Sequence, residues 1–304
     1  MKKQVLVIGG TYFAGRVFMV LASRTGEYDF HVVNRGRFAL RLPGVTEYVC
    51  DRHAADKLAL LLPARQWDSV IDFCAYEPGD TASLLAAVPG SIGQYIFIST
   101  CSVYDPGAAS PKAETAPLLK DPGNDPGLVY AFKKLELERE AVPACAGRAA
   151  ALTILRPAFI YGPLNYAPRE SFYFTRILEN RPIPAPVDAT GRFSFIYVKD
   201  MSRLVMGCIG NPAAYGGTYN LSGPETVTYE SFLEALIAAH GGPLSVEPVT
   251  VADVYARNIP VPFPLEGGEV FAGEAVSRLL DMEYIPFARG FKETYDTFMD
   301  VHRG

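Results

Sequence analysis

Tyr130 and Lys134 bound the run Tyr130-Ala-Phe-Lys-Lys134, the one place in the 304 residues where a lysine follows a tyrosine by four. On a helix that spacing puts both side chains on one face. An ammonium there would stabilise a phenolate and lower the tyrosine pKa from its ordinary value of about 10. Such a phenol can exchange a proton with a substrate hydroxyl or carbonyl while hydride moves to or from a cofactor. With 17 tyrosines in the chain, one such pair can also arise by chance. A second group of residues bears on this reading: in Val-Leu-Val-Ile-Gly-Gly-Thr-Tyr-Phe-Ala-Gly, Gly9, Gly10 and Gly15 lie between an apolar run and an amphipathic one. A turn without Cβ atoms lets main-chain N–H groups and a helix N-terminus approach a pyrophosphate, and Gly15 would let that helix pack on its strand. An ordinary strand–helix turn would use the same residues.

A carboxylate at the end of the second strand commonly holds the ribose of NAD and repels the phosphate of NADP. Asn34 stands at that point, followed by Arg35 and Arg37. An amide lacks the repulsive charge and a guanidinium can pair with a phosphate, which leans the expectation towards NADP over NAD. Solvated loop arginines would look the same.

These residues need elements to position them. Val5–Ile8, His31–Val33, Tyr48–Val49, Ser69–Phe73, Tyr95–Ser99 and Thr153–Leu155 read as strands. Phe13–Arg24, Ala54–Leu62, Thr81–Val88 and Tyr130–Val142 read as the helices between them. Strands apolar on both faces and alternating with helices predict an α/β, doubly wound parallel sheet of Rossmann type, spanning residues 1–160. After Pro157 prolines and aromatics accumulate, Phe195–Val198 reads as a strand and Tyr229–His240 as an amphipathic helix. Residues 161–304 are therefore expected to be mostly a smaller, loop-rich substrate-binding lobe, with 193–220 returning to the first domain.

The net charge of −5 opposes the basic face that nucleic acid requires and favours a small-molecule substrate. The five cysteines are scattered, as expected of buried thiols in a reducing compartment. No apolar run reaches the length of a membrane span, the N-terminal one is too short for a signal peptide, and a cytoplasmic protein is expected. His31, His53, His240 and His302 sit in no ligand motif, which gives metal catalysis little support; His31 reads as structural.

The glycine loop, the Tyr–Lys pair and the segment Phe97-Ile98-Ser99-Thr100-Cys101-Ser102-Val103-Tyr104 together resemble the extended short-chain dehydrogenase/reductase family, which includes the NAD-dependent epimerases and dehydratases. Leu155-Arg156-Pro157-Ala158-Phe159-Ile160-Tyr161-Gly162-Pro163 is similar to a further family landmark, as are Phe195–Asp200 and Tyr219–Gly223, so the resemblance spans about residues 4–240. The form Gly-Gly-Thr-x-Phe-x-Gly, with Asn34-Arg35-Gly36, looks most like a subgroup containing chloroplast stem-loop RNA-binding proteins. The resemblance implies Thr100 as the hydroxyl that orients the reacting oxygen, Tyr130 as acid and base, and Lys134 as the group that tunes Tyr130 and holds the nicotinamide ribose. It implies a cofactor surface of Gly9, Gly10, Thr11, Tyr12, Phe13, Gly15, Asn34, Arg35, Asp51, Arg52, Cys74, Ala75, Ser99, Tyr130, Lys134 and Pro157. Asp51 falls near the adenine, and Tyr12 replaces the usual middle glycine of the loop. A homodimer through the Tyr–Lys helix and the one before it is also implied.

Departures narrow the chemistry. The Asp-Glu pair with which 4,6-dehydratases eliminate water is Cys101 and Ser102 here, so that reaction is not expected. Phe159 replaces an asparagine usual in sugar-nucleotide epimerases, and Arg192 stands one position before the place of their diphosphate-binding arginine. Cys101, Ser102, Phe159 and Arg192 are the candidate substrate contacts. The leading expectation is an NAD(P)-dependent oxidoreductase or epimerase, with a nucleotide sugar as one possible substrate. The alternatives are a non-catalytic nucleotide- or RNA-binding regulatory protein on the same fold, and an NADPH-dependent reductase of a small carbonyl compound in an apolar pocket of the aromatic second lobe.

Overall fold

A computed structural model describes residues 1–303. Its centre is a seven-stranded sheet in the spatial order Thr218–Leu221, Ala151–Pro157, Gln94–Ile98, Ser69–Asp72, Lys3–Ile8, Tyr28–Asn34, Val45–Val49. Every neighbouring pair is parallel. The strands are apolar on both faces because both are covered. Val5 and Val7 point into a core with Phe18, Met19, Leu204 and Val205, while Leu6 and Ile8 point into another with Leu58, Leu84 and Leu137. That partition is the two-residue period of a strand, hidden in the sequence because neither face is polar. From Lys3–Ile8 the chain first builds outward on one side and then returns to build on the other. The loops after Ile8 and Asp72 therefore diverge and open a crevice at the carboxyl edge.

The helix carrying Tyr130 and Lys134 runs from Pro126 to Ala146, four residues longer at each end than the periodicity predicts. Asp125 caps it by accepting from Leu128 N at 2.9 Å, and Pro126 occupies its first turn, where a missing N–H is tolerated.

The second half is less loop-rich than its composition suggests. Besides the expected helix Tyr229–His240, it holds helices Glu170–Leu178, Val251–Ala256, Glu274–Leu279 and Phe287–Arg303. Most of its aromatics fill a core. Phe193 and Phe263 stack with centroids 4.8 Å apart, and Phe232 meets Phe291 edge-on at 5.0 Å. The strand expected at Phe195–Val198 is Arg192–Tyr197, in a small sheet with Phe159–Tyr161, Thr226–Val227 and Gly268–Glu269. Val198 instead opens helix Val198–Cys208, which packs on helix Phe13–Ala22 beneath the main sheet, and Thr218–Leu221 then joins that sheet as an edge strand. Among the described residues no helix is long and apolar enough to cross a membrane.

Candidate active site

The glycine turn is shaped by backbone crowding. Gly9 and Gly10 have φ of +95° and +75°, where L side chains are strained. A Cβ on Gly15 would lie 2.7 Å from Gly10 Cα and 2.9 Å from Gly10 N, so no side chain fits there without moving the main chain. Phe13, the first residue of helix Phe13–Ala22, is held at φ 35° with its ring buried. Among the described residues no side chain caps this helix and no acid stands in its first turn. Unclaimed N–H groups at the positive end of a helix suit a pyrophosphate, so the turn fits a dinucleotide. Tyr12 does not plug it. Its ring is 53% exposed and stacks on Phe38 and Tyr166, with centroids 5.6 and 4.7 Å away, at the mouth of the crevice.

The crevice widens into a cavity of about 1120 Å³ lined by the glycine turn together with Thr100, Tyr130 and Lys134. Thr100 follows strand Gln94–Ile98; its hydroxyl accepts from Ser102 N at 3.2 Å and lies 3.3 Å from Ser102 Oγ. Lys134 is buried, with Nζ donating to Ala75 O at 2.9 Å and Ile98 O at 2.7 Å, at the ends of the two central strands. Two of its three N–H bonds are thereby committed, and the ammonium lies over the Phe97 ring at 4.6 Å. Burial pulls its pKa down to about 8, against the opposing charge of Asp72. Tyr130 is 42% exposed and packs beside Tyr76, with ring centroids 6.5 Å apart.

The expectation that Lys134 lowers the Tyr130 pKa is corrected here. Desolvation by the cavity walls around the partly exposed ring, with Tyr166, pushes the phenol up to about 12, and the cation that acts against this is Arg169. The physical reason is direction: the Lys134 head is turned to the strand-end carbonyls. Among the described residues no hydrogen bond joins Thr100, Tyr130 and Lys134 to one another; what they share is the cavity.

Beneath this face lies a polar network that the sequence reading missed. Glu138, one further turn along the Tyr130–Lys134 stripe, receives Ser99 Oγ at 2.5 Å and both Arg156 Nε at 2.9 Å and Nη2 at 2.5 Å. Arg156 also donates to Tyr104 Oη at 2.9 Å, and Tyr104 donates to Asn220 Oδ1 at 2.6 Å. Buried charges demand partners, so the network ties strand end, helix and edge strand together. Its signal was present as the i, i+4, i+8 series Tyr130, Lys134, Glu138. Ser99, expected on the cofactor, lines the cavity while its hydroxyl is engaged by Glu138.

Several other expected cofactor residues are also occupied. Asn34 donates to Glu47 Oε2 at 3.1 Å and accepts from Gly36 N at 2.7 Å, so its amide shapes the loop. Arg52 is buried against Asp72 Oδ1 at 2.9 Å and Asp80 O at 2.7 Å. Ala75 contributes its carbonyl to Lys134. Burial raises the Cys74 thiol to about 12. Asp51 accepts from His53 N at 2.9 Å, which holds its carboxyl below the usual range, and it lines the cavity with Thr11, Arg35 and Pro157. Arg37 lies over the Phe38 ring, 5.4 Å from its centroid, rather than in the cavity. His31, as expected, is structural, bonded to Tyr48 Oη and Arg65 at 2.9 Å each.

The family model described as the NAD dependent epimerase/dehydratase family matches residues 5–222. The chain belongs to this family. It is 29% identical over 256 residues to a chloroplast stem-loop binding protein of 41 kDa from Arabidopsis thaliana, covering 80% of this chain and 64% of that protein. The chain therefore spans less than two thirds of that relative's length. It is 24% identical over 262 residues to a UDP-glucose 4-epimerase from Vibrio cholerae, covering 78% and 76% of the two chains. The structure of a UDP-glucuronic acid 4-epimerase from Bacillus cereus in complex with NAD has the same fold, with TM-score 0.77, 19% identity, and 99% and 98% of the chains covered.

The substrate side of this epimerase/dehydratase-family site departs further from expectation. Cys101 is fully buried, its thiol donating to Arg156 O at 3.0 Å and held well above its ordinary pKa by burial, so it is poorly placed to touch a substrate. Ser102 is exposed and bonded to Thr100, and Phe159 lines the cavity. Arg192 is not brought to the site: it is the exposed first residue of strand Arg192–Tyr197, whose remaining residues are buried. A different arginine is there. Arg169, which the sequence reading passed over, lines the cavity with its guanidinium 5.1 Å from the centroid of Phe159.

Proposed function

We propose that the chain is a nicotinamide-dinucleotide-dependent oxidoreductase or epimerase that works on a hydroxyl or carbonyl of a nucleotide sugar. The observation that carries this is one cavity lined by an uncapped glycine turn and by Thr100, Tyr130 and Lys134. When bound, the dinucleotide supplies the hydride acceptor or donor. Thr100 Oγ1 orients the substrate oxygen, Tyr130 Oη takes or gives the proton, and Lys134 Nζ, fixed by Ala75 O and Ile98 O, offers its remaining N–H to the ribose. The phenol, up at about 12, is protonated at neutral pH. It is therefore ready to donate in the reductive direction, whereas oxidation requires its anion and should accelerate as pH rises.

The relatives' names favour a sugar nucleotide and NAD. The lean towards NADP weakens, since the Asn34 amide is engaged by Glu47 and Gly36 and Arg37 lies over Phe38 outside the cavity, which leaves Arg35 as the guanidinium of that loop lining it. We take NAD as the cofactor. Equilibrium fluorescence titration with NADH and NADPH tests this: saturable NADH binding at least as tight as NADPH binding is expected, and failure of both to bind would end the redox reading. A second reading, RNA binding without catalysis, draws on the stem-loop binding relative. Tight, salt-sensitive filter binding of structured RNA by protein that takes up neither dinucleotide would favour it.

A further inference from the structure

Four cationic side chains line the cavity, and three are accounted for. Arg52 is paired with Asp72, Lys134 is held by two carbonyls, and Arg35 stands on the loop that follows the second strand, on the dinucleotide's side. Arg169 is the fourth, on the same side as Tyr130. Its guanidinium rests over Phe159, and Nη1 donates to Ile160 O at 3.2 Å. That uses one of five N–H groups. Among the described residues no carboxylate comes within 4.0 Å of it, the conventional ion-pair limit. Glu170, next along the chain, is attractive at longer range, but its carboxylate accepts from Gly162 N at 3.1 Å and from Asn165 Nδ2 at 3.0 Å. Those bonds pin the segment before helix Glu170–Leu178, so the arginine stands on a braced turn. Burial disfavours its charge, and it still pulls on the Tyr130 phenol. A partly desolvated guanidinium with free donors beside a proton-transfer group is a recognition element awaiting an acceptor.

We infer that Arg169 binds an anionic oxygen group of the substrate, a carboxylate or a phosphate, and thereby seats the reacting carbon beside Tyr130. This rests on the redox reading above and adds to it the residue that holds the substrate's anionic group. Phe159 contributes an aromatic face on which the guanidinium rests, 5.1 Å from the ring centroid, a role an asparagine would not fill.

The test is calorimetric titration of the NAD-loaded protein with UDP-glucuronic acid, UDP-glucose, pyrophosphate and glucuronate, in wild type, Arg169→Met and Arg169→Lys. At least a tenfold loss of affinity in Arg169→Met, partial recovery in Arg169→Lys and unchanged NAD affinity are expected. Loss confined to UDP-glucuronic acid and glucuronate assigns the carboxylate. Loss shared by UDP-glucose and pyrophosphate assigns the diphosphate. Affinities within twofold of wild type for every ligand in Arg169→Met overturn the inference while leaving the proposed function standing. Wild-type protein that binds NAD and none of the four anions overturns it as well. Failure to bind NAD at all strikes the underlying reading instead.

Discussion

Lys134 is the residue on which structure and proposed chemistry meet most tightly. A buried ammonium held by two carbonyls cannot move far, which suits a group that must present one fixed N–H. Lys134→Met should abolish turnover with the fold intact, and Tyr130→Phe should lower it by at least about a hundredfold, the usual worth of general acid–base catalysis. Steady-state rates with the folded variants check both. The lysine also makes a prediction that needs no substrate. Its folded pKa of about 8 lies below the value of about 10.4 in an unfolded chain. Between those values the unfolded chain holds the extra proton, so stability rises with pH across that window. Urea unfolding should show wild type gaining roughly 3 kcal/mol on Lys134→Met between pH 7.5 and 10.5, and a constant difference would contradict a buried ammonium. Sequence made Tyr130 and Lys134 legible through their spacing. It did not reveal where the lysine head turns, because the acceptors Ala75 O and Ile98 O are backbone atoms far away in the chain. Arg169 was invisible for a related reason: its importance lies in the partner it lacks.

At the scale of elements, two joints hold the site. The glycine turn depends on Gly15 lying against the Gly10 backbone, so Gly15→Ala must displace the turn itself. Dinucleotide affinity should fall at least tenfold with modest loss of stability, measured by fluorescence titration and thermal melting; unchanged affinity would mean that the turn holds no pyrophosphate. The other joint is the Glu138–Arg156 pair between the Tyr130 helix and strand Ala151–Pro157. Breaking a buried pair by removing one charge costs about 3–5 kcal/mol, and Glu138→Gln should lose stability of that order in chemical denaturation. A change below about 1 kcal/mol would show that the network is not holding the helix. The strands of the main sheet were readable as apolar runs, and the helices between them as periodic ones. The extra turns of the Tyr130 helix escaped because Pro126 and Pro143 interrupt the periodic pattern, although Asp125-Pro126 is a helix-start signal.

For the whole molecule, the strand order and its reversal next to Lys3–Ile8 create the crevice, and the parallel sheet was inferable from alternation of strand and helix alone. The second half was harder to read. Its prolines and aromatics suggested loops around a pocket, yet Phe193, Phe195, Phe232 and Phe263 pack on one another as a core. Composition cannot distinguish rings that line a cavity from rings that fill one. The same half supplies Phe159 and Arg169 to the cavity, so on the proposed reading substrate choice is set where the sequence spoke least. The central claim is that a dinucleotide bound at the Gly9–Gly15 turn exchanges hydride with a substrate oxidised or reduced at Tyr130. Its most direct test is the near-ultraviolet absorbance of reduced nicotinamide in the NAD-loaded protein after a nucleotide sugar is added. The account predicts that this band grows in wild type and is lost in Tyr130→Phe. Equal growth of the band in Tyr130→Phe, with the variant folded and loaded, would contradict it.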